Sequence, residues 1–486
     1  MCCAGIGKTT LANEICVRWA RDGFLSEDFD AVILIPLRCV QQRSLEEVMI
    51  EYIEEDTYHQ LKKSAGSRCL IILEGLDEMA ADHQKNDRFF IRLIKDCTVL
   101  EEATIMITSR PHACKTLNTD RQVEVIGFGV QQIEEFINKS FPNDEHSVSE
   151  LLQQLNDYPH LKGLCYVPLN LVMIIDIFKY SQKKLPSTLT EVYKLFLVMT
   201  LERDIKKNTS SDLPVMNEHT EKLKKMLPGI PINAIGTVFL LCRLSFCGFF
   251  DWHVDIKEKG RYGREKKWKD PKIIFTAEDL IQCGIEVTSQ FDGFSLLNAT
   301  HIHEVPTDTS SYNFSHLSIQ EFLSSLYISL LPQQEQLRLM NTHFHDFPNV
   351  FIFLSGLTRL KCNEMYQIIY SKLTSCDDVV LAVRCMYESN CPVQSAVPFT
   401  LDLSYNDVLP YDCYCISYMI SHYPVSQLKM EDCYMGDTGA EMLAKYYTGE
   451  NIATQSLKLL DLTGNNLTAV GMVHMMKIVM TSESHY

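Results

Sequence analysis

Near the N-terminus, Ala4-Gly5-Ile6-Gly7-Lys8-Thr9-Thr10 has residue types and a spacing suited to phosphate. Glycines let successive backbone N–H groups turn inward around phosphate oxygens. A lysine placed just after them neutralises the β- and γ-phosphates, and the next hydroxyl, Thr9, can ligate Mg2+. Cys2 stands where the strict pattern has its first glycine, so the motif alone also fits a glycine-rich turn before a helix. An acidic group further along shifts the balance. Leu70 to Leu73 run directly into Glu74, and Asp77 and Glu78 follow. Carboxylates at the carboxyl end of a buried strand are placed to hold Mg2+ and to orient water beside a phosphate loop. Taken singly the segment reads equally well as an exposed acidic loop; paired with the upstream Gly-Lys-Thr it favours a nucleotide site.

The elements that must position these groups are legible as periodicities. Leu11, Ile15 and Trp19 fall on one helical stripe with Ala12, Cys16 and Ala20 beside it, predicting a helix whose positive N-terminal end receives the phosphates. Three short runs rich in Ile and Leu, Asp30 to Arg38, Arg68 to Met79 and Ala103 to Pro111, alternate with amphipathic stretches. That alternation predicts strands buried on both faces of a parallel sheet with crossover helices. After "VEVIGFGVQQIEEFI" the strand pattern gives way to helical periodicity through about residue 200. There Pro168 heads a long apolar stretch, where a proline ordinarily starts or breaks a helix. Further on, "YNFSHLSIQEFLSSLYIS" predicts a helix burying Leu317, Phe322, Leu323 and Leu326, capped by Ser315 or Ser318. His316, at its start, reads from the residues alone as a polar helix-end residue.

Composition bounds the function classes. The 486 residues imply three or four domains, and 46% hydrophobic with 22% charged residues marks a globular chain. A net charge of −17 disfavours a general nucleic-acid binder. The basic segment Asp255 to Lys272, eight Lys/Arg among four acidic residues, reads as a solvated loop in preference to a nucleic-acid patch. The 18 cysteines lack a disulfide framework or any Cys-x-x-Cys, predicting reduced and mostly buried thiols in a cytosolic protein. No signal peptide is read at the start, and "VPLNLVMIIDIF", taken as the most apolar internal stretch, is broken by Asn170 and Asp176; no membrane span is expected. His301 with His303, and His343 with His345, lack the companions of a zinc site and read as surface or satisfied histidines.

Toward the C-terminus the chain repeats itself. Leu401, Leu403 and Asn406 correspond to Leu428, Met430 and Cys433, then to Leu460, Leu462 and Asn465, at offsets of 27 and 32 residues. The pattern predicts about three leucine-rich repeats, each a short strand on a concave face and a helix on the convex one, in an array that looks abbreviated.

The order "AGIGKTTLA", "LIILEGLDE", "IMITSRP" resembles the Walker A, extended Walker B and sensor 1 elements of the NACHT ATPase domain of NOD-like receptors. The resemblance implies ATP/ADP and Mg2+ as cofactors, with Ala4 to Thr10 around the phosphates. Thr9 and Glu74 would be metal ligands, Glu74 one methylene longer than the family's usual Asp. It further implies that Glu78, beside Asp77, is the catalytic acid and that Arg110 senses the γ-phosphate. Pro168 would pack on adenine, and His316, in a motif similar to the family's winged helix, would contact the β-phosphate of ADP. The implied layout is a multidomain α/β plus α chain. A P-loop parallel-sheet domain (1–130) precedes a helical domain (131–185), a winged helix (186–330), a second helical region (331–395) and leucine-rich repeats (396–486). Such a protein is a cytoplasmic innate-immune sensor, locked by ADP, opened by ATP, hydrolysing slowly if at all, and self-associating when active. A protein or microbial ligand would bind the repeats. The competing readings are a non-switching repeat protein on a degenerate nucleotide scaffold, and an ATPase with steady turnover. Only four residues precede Gly5, leaving no room for the strand that normally feeds a phosphate loop; this predicts a sheet lacking its first strand and a chain that is a fragment.

Overall fold

The computed structural model describes all residues except 1–4, 38–44, 65, 77–96, 110–118, 182–184, 208–217, 251–271, 286–294, 301–310, 361–362, 374–377, 391–396, 446–456 and 484–486. It divides into two compact units, residues 1–127 with 248–275, and residues 128–247 with 276–486.

The first unit is built on three strands, β1 (Ala31–Pro36), β2 (Cys69–Glu74) and β3 (Thr104–Ile107), in the order β1-β2-β3 and all parallel. The three runs expected to be strands are therefore strands, and the described ones adjoin without a gap. Only β2, the central strand of the three, is buried along its whole length; β1 and β3, on either side of it, are largely half-buried. Side chains alternate across a strand, and β2 uses this fully. Cys69, Ile71 and Leu73 join Ile33, Ile35 and Leu37 against helix α2 (Leu45–Ile53) and Tyr58 of helix α3 (Glu55–Lys63). Leu70 and Ile72 face the other way, onto Ala12 of helix α1 (Lys8–Asp22). On the inward stripe of α1 Ala12 is buried and Ile15, Cys16 and Trp19 are half-buried; Leu11, expected on it, is 42% exposed, and Ala20 is exposed as well. The small Ala12 permits close approach to β2, and that rotates the inward face by one residue from the leucine-centred stripe. At the amino ends of β1 and β2, Arg68 donates to both Asp30 carboxylate oxygens at 3.0 Å, which holds the Asp30 carboxyl below the usual range. Residues 121–127 form no strand, and Val123 and Ile126 are 90% and 77% exposed.

The second unit begins with helices α4 (Val130–Ser140), α5 (Glu145–Asp157), α6 (Pro159–Cys165) and α7 (Pro168–Tyr180). Asp144 caps α5, accepting from Ser147 N at 3.0 Å, and prolines open α6 and α7. Helices α8 (Leu189–Lys207), α9 (Glu218–Met226) and α10 (Ile235–Phe250, in this unit through Cys247) follow. After strand β4 (Phe275–Thr276) come helix α11 (Ala277–Gln282), the antiparallel pair β5 (Leu297–Thr300) and β6 (Ser311–Phe314), and helix α12 (Leu317–Leu330). Helices α13 (Gln333–His343), α14 (Pro348–Thr358), α15 (Asn363–Leu373) and α16 (Val379–Ser389) complete the helical part. Tyr193, Phe322 and Phe353, with ring centroids 4.7 to 5.7 Å apart, bind α8, α12 and α14 into one core. A second apolar stretch is 232–250. It has a mean hydropathy of 1.6 and is the one described segment long and apolar enough to cross a membrane. Here its helix packs on α12: the rings of Phe246 and Tyr327 lie 4.8 Å apart, and Ser245 donates its hydroxyl to Gln320 O.

The C-terminal part alternates strand and helix: β7 (Phe399–Asp402), α17 (Pro410–His422), β8 (Val425–Lys429), α18 (Gly436–Ala444), β9 (Leu459–Asp461) and α19 (Ala469–Glu483). The strands are parallel, with Leu401 opposite Leu428 and Leu428 opposite Leu460, the register that the repeating leucines demand. Asn465, 2% exposed, donates to Leu462 O at 3.0 Å and accepts from Cys433 N and Met435 N at 3.2 Å; Cys433 Sγ donates to Leu403 O at 3.1 Å. The recurring Asn/Cys position thus satisfies backbone groups that the turn after each strand would otherwise bury unpaired. Among the described cysteines nine are buried, and Cys16 and Cys247 are half-buried.

His160, in α6, sits between Tyr158 and Tyr414, with ring centroids 5.8 and 5.7 Å away. Burial pushes its pKa from 6.5 down to about 4. The unfolded chain therefore binds the proton first, so stability is full above pH 6.5 and is lost as pH falls toward 4, by about 3 kcal/mol at that limit. Amide exchange of α6 is expected to accelerate across that window, and His160→Phe should flatten the profile.

Candidate nucleotide-binding site

Residue 74 follows 70 and 72 on the α1 side of β2, so the alternation that buries Leu70 and Ile72 also carries the Glu74 side chain toward the head of α1. There the Thr9 hydroxyl donates to Glu74 Oε1 at 2.5 Å, across 65 residues of chain. Glu74 is 3% exposed. Two of the sequence-predicted metal ligands are thereby brought together.

The loop before α1 has the backbone its glycines predict. Gly5 and Gly7 have φ of 80° and 104°, in the left-handed region where a side chain is strained. A Cβ on Gly7 would meet nothing within 4 Å, so glycine is required there by conformation and not by crowding. Gly7 is the N-cap of α1, its carbonyl accepts from Leu11 N at 2.8 Å, and no side chain caps the helix. The first-turn N–H groups consequently face outward beside Lys8, as an anion site needs. Ile6, 4% exposed, anchors the loop to the core, and Thr10 is exposed on the first turn.

Thr108 was not singled out by sequence, and it fixes the carboxyl ends of β2 and β3. Its N–H donates to Leu73 O at 3.0 Å, its hydroxyl accepts from Gly75 N at 3.0 Å and its carbonyl from Leu76 N at 2.9 Å. Gly75, with φ of 78°, makes the turn. The segments leading to Asp77 and to Arg110 therefore leave the sheet from one latched point. The signal available in sequence was a hydroxyl residue directly after the last apolar residue of β3, in register with Glu74. Ala4, Asp77, Glu78 and Arg110 lie outside the described residues, as do His301 and His303.

Pro168 and His316 belong to the second unit. Pro168 is the first residue of α7, preceded by Val167 in extended conformation. His316, not Ser315 or Ser318, is the N-cap of α12: its Nδ1 accepts from Ser318 N at 3.1 Å, and Ser318 Oγ lies 2.7 Å from the same nitrogen. An Nδ1 that accepts from a backbone N–H places the proton of the neutral ring on Nε2. Ser318 is buried as the residue capped, while Phe322, Leu323 and Leu326 are buried as expected; Leu317, on the first turn, is half-buried. His343 is buried with Nδ1 3.1 Å from Asp346, and the exposed His345 bonds Asp378.

A parallel α/β sheet with a positive-φ glycine loop at a helix head and an acidic strand end beside it has the arrangement of a P-loop-type domain. Comparison with known proteins gives the more particular likeness. Residues 3–144 match the model of the NACHT domain. Over 360 residues the chain is 26% identical to "NACHT, LRR and PYD domains-containing protein 3" of Macaca mulatta, covering 68% of this chain and 30% of that protein. It is 25% identical over 362 residues to "Protein NLRC3" of Mus musculus (67% of this chain, 30% of that protein). It is 24% identical over 356 residues to "NACHT, LRR and PYD domains-containing protein 12" of Mus musculus (67% and 29%). The chain thus spans about 30% of the length of these relatives. "Structure of Drosophila ORC bound to DNA" aligns over 68% of this chain and 89% of that one at 14% identity, with a TM-score of 0.20, too low to carry fold or function across.

Proposed function

We propose that the chain is a nucleotide-dependent switch of the NOD-like receptor kind, binding ADP or ATP with Mg2+ at Ala4 to Thr10 and self-associating on activation. The observation that carries this reading is the 2.5 Å bond between Thr9 and Glu74, which joins the glycine loop to the acidic strand end. Oxygen donors on a hydroxyl and a carboxylate suit Mg2+, a hard cation; bound there, it would neutralise developing phosphate charge. Lys8 holds the β- and γ-phosphates, the first-turn N–H groups donate to the remaining phosphate oxygens, and Thr9 and Glu74 would hold the metal. By the same resemblance Glu78, with Asp77, acts on water, Arg110 senses the γ-phosphate and Pro168 packs on adenine. His316 donates its Nε2–H to the β-phosphate of ADP, a role supported by the cap that fixes the opposite nitrogen as acceptor.

The domain layout extends the proposal. The Thr276-capped α11, the β5–β6 pair and α12 support a winged helix in 186–330. The leucine register and the Asn/Cys bonds support leucine-rich repeats in 396–486, whose strand face would take a protein or microbial ligand. The setting proposed is cytoplasmic.

Labelled-ATP binding followed by a turnover assay tests the reading. Binding with slow or trapped hydrolysis is expected; no binding would favour the degenerate scaffold, and sustained turnover a plain ATPase. His316→Ala is expected to raise self-association of the ADP form several-fold, seen by size-exclusion chromatography; an unchanged profile removes His316 from the switch.

A further inference from the structure

The second unit contains a buried carboxylate that the nucleotide reading does not use. Glu388, at the end of α16, is 3% exposed and accepts four hydrogen bonds: from Leu189 N at 2.9 Å, Thr190 N at 3.0 Å, Thr190 Oγ1 at 2.6 Å and Tyr411 Oη at 2.6 Å. Two of these donors are first-turn N–H groups at the head of α8, which have no partner within their own helix and lie where helix geometry favours an anion. The last comes from the first repeat helix, α17.

Tyr411 makes a second contact through its backbone. A Cβ placed on Gly163 of α6 would stand 3.1 Å from Tyr411 Cα and 3.3 Å from Tyr411 N, so the two helices touch backbone to backbone. The same seam carries His160 against Tyr414 and Lys162 Nζ 4.0 Å from Glu441 of α18, with both side chains mostly buried. One tyrosine therefore meets α6 through its main chain and α8 through its hydroxyl and Glu388. Helices α6 and α8 flank α7, the helix that Pro168 opens.

We infer that Tyr411 is an interlock: it ties the first repeat helix to α6 and α8 at once, so that neither side of α7 moves until the repeats let go. The regulatory half of this inference rests on the switch reading above, for which the interlock sets how readily bound ADP is released. A ligand that displaced α17 would loosen both neighbours of the Pro168 helix in one event, removing the backbone contact on α6 and one of the four hydrogen bonds that set the Glu388 carboxylate against α8, without touching the nucleotide loop. Tyr411 acts here as a positioning residue through Glu388 and Gly163.

The test compares Tyr411→Phe, which removes only the hydroxyl, and Gly163→Ala, which forces the backbones apart, with Tyr418→Phe. Tyr418 lies on the same helix, and its hydroxyl donates instead to Asn390 at 3.1 Å. Hydrogen–deuterium exchange is read on α6 and on the first turns of α8 in the full chain, together with the release rate of a fluorescent ADP. Each interlock variant is expected to raise exchange about tenfold on both α6 and α8, the scale of one lost buried hydrogen bond or close contact, and to speed ADP release several-fold. Tyr418→Phe should do neither. Exchange that rises on one helix alone, or on neither, overturns the interlock. Exchange that rises on both while ADP release stays unchanged overturns its regulatory role. If the chain binds no ADP, the switch reading fails, and exchange alone still decides whether Tyr411 couples the two helices.

Discussion

Lys8→Ala is expected to lower affinity for both ADP and ATP at least about 100-fold, near 3 kcal/mol, the upper range for one lost charge-assisted contact. Lys8 is the first residue of α1, on the same turn as the N–H groups that no side chain caps. Alanine is a good helix former, and Lys8 lies outside the cores on either side of the sheet. The variant should consequently melt at the wild-type temperature without nucleotide and lose the shift that saturating ADP gives the wild type. Titration with a fluorescent ADP beside thermal melts measures both. Unchanged affinity would show that the loop is a turn before a helix and nothing more.

Asp412→Ala is expected to destabilise the second unit by roughly 3–5 kcal/mol, the cost of stranding a buried charge. Asp412 is fully buried, accepts from Arg384 Nη2 at 2.7 Å and also from Arg384 Nε, and caps α17 through Leu409 N at 2.8 Å. Removing it leaves the Arg384 guanidinium, 14% exposed, without its counter-charge and the helix without its cap. Urea unfolding followed by exchange at α16 and α17 should show the loss concentrated there. Asp412→Asn keeps the cap acceptor and should cost less.

Much of the site was legible because local rules and tertiary placement agree. The apolar run ending at Glu74 is a strand buried along its length, and the period-2 alternation that sends residues 70 and 72 toward α1 also delivers the carboxylate to Thr9. The pairing of the C-terminal strands was legible for the same reason, since Leu401, Leu428 and Leu460, 27 and 32 residues apart, lie opposite one another in the parallel ladder. What was missed depended on partners far away in sequence. A helical stripe can be placed on a wheel, yet which edge of it is deepest depends on how near the helix can approach; Ala12 brings α1 close and leaves Leu11 exposed. The cap of α12 was sought among serines because hydroxyls dominate caps, while the extended backbone of His316 lets its imidazole accept the same bond. The valines and isoleucine of 121–127 carry a strand pattern, yet Val123 and Ile126 are exposed and the segment joins no ladder. Glu388 gave no signal at all: its partners lie 198 and 23 residues away, and a lone glutamate late in a helix reads as solvent-facing.

In the proposed switch, nucleotide identity sets the assembly state of this chain through the site at Gly5 to Thr10 and Glu74. Its most direct test is the molar mass by size-exclusion chromatography with light scattering, measured on one preparation stripped of nucleotide and reloaded with Mg2+ and either ADP or a non-hydrolysable ATP analogue. ADP is expected to give a monomer and the analogue a larger assembly, with Lys8→Ala insensitive to either. Equal masses in the two states, with nucleotide verified as bound, would contradict it.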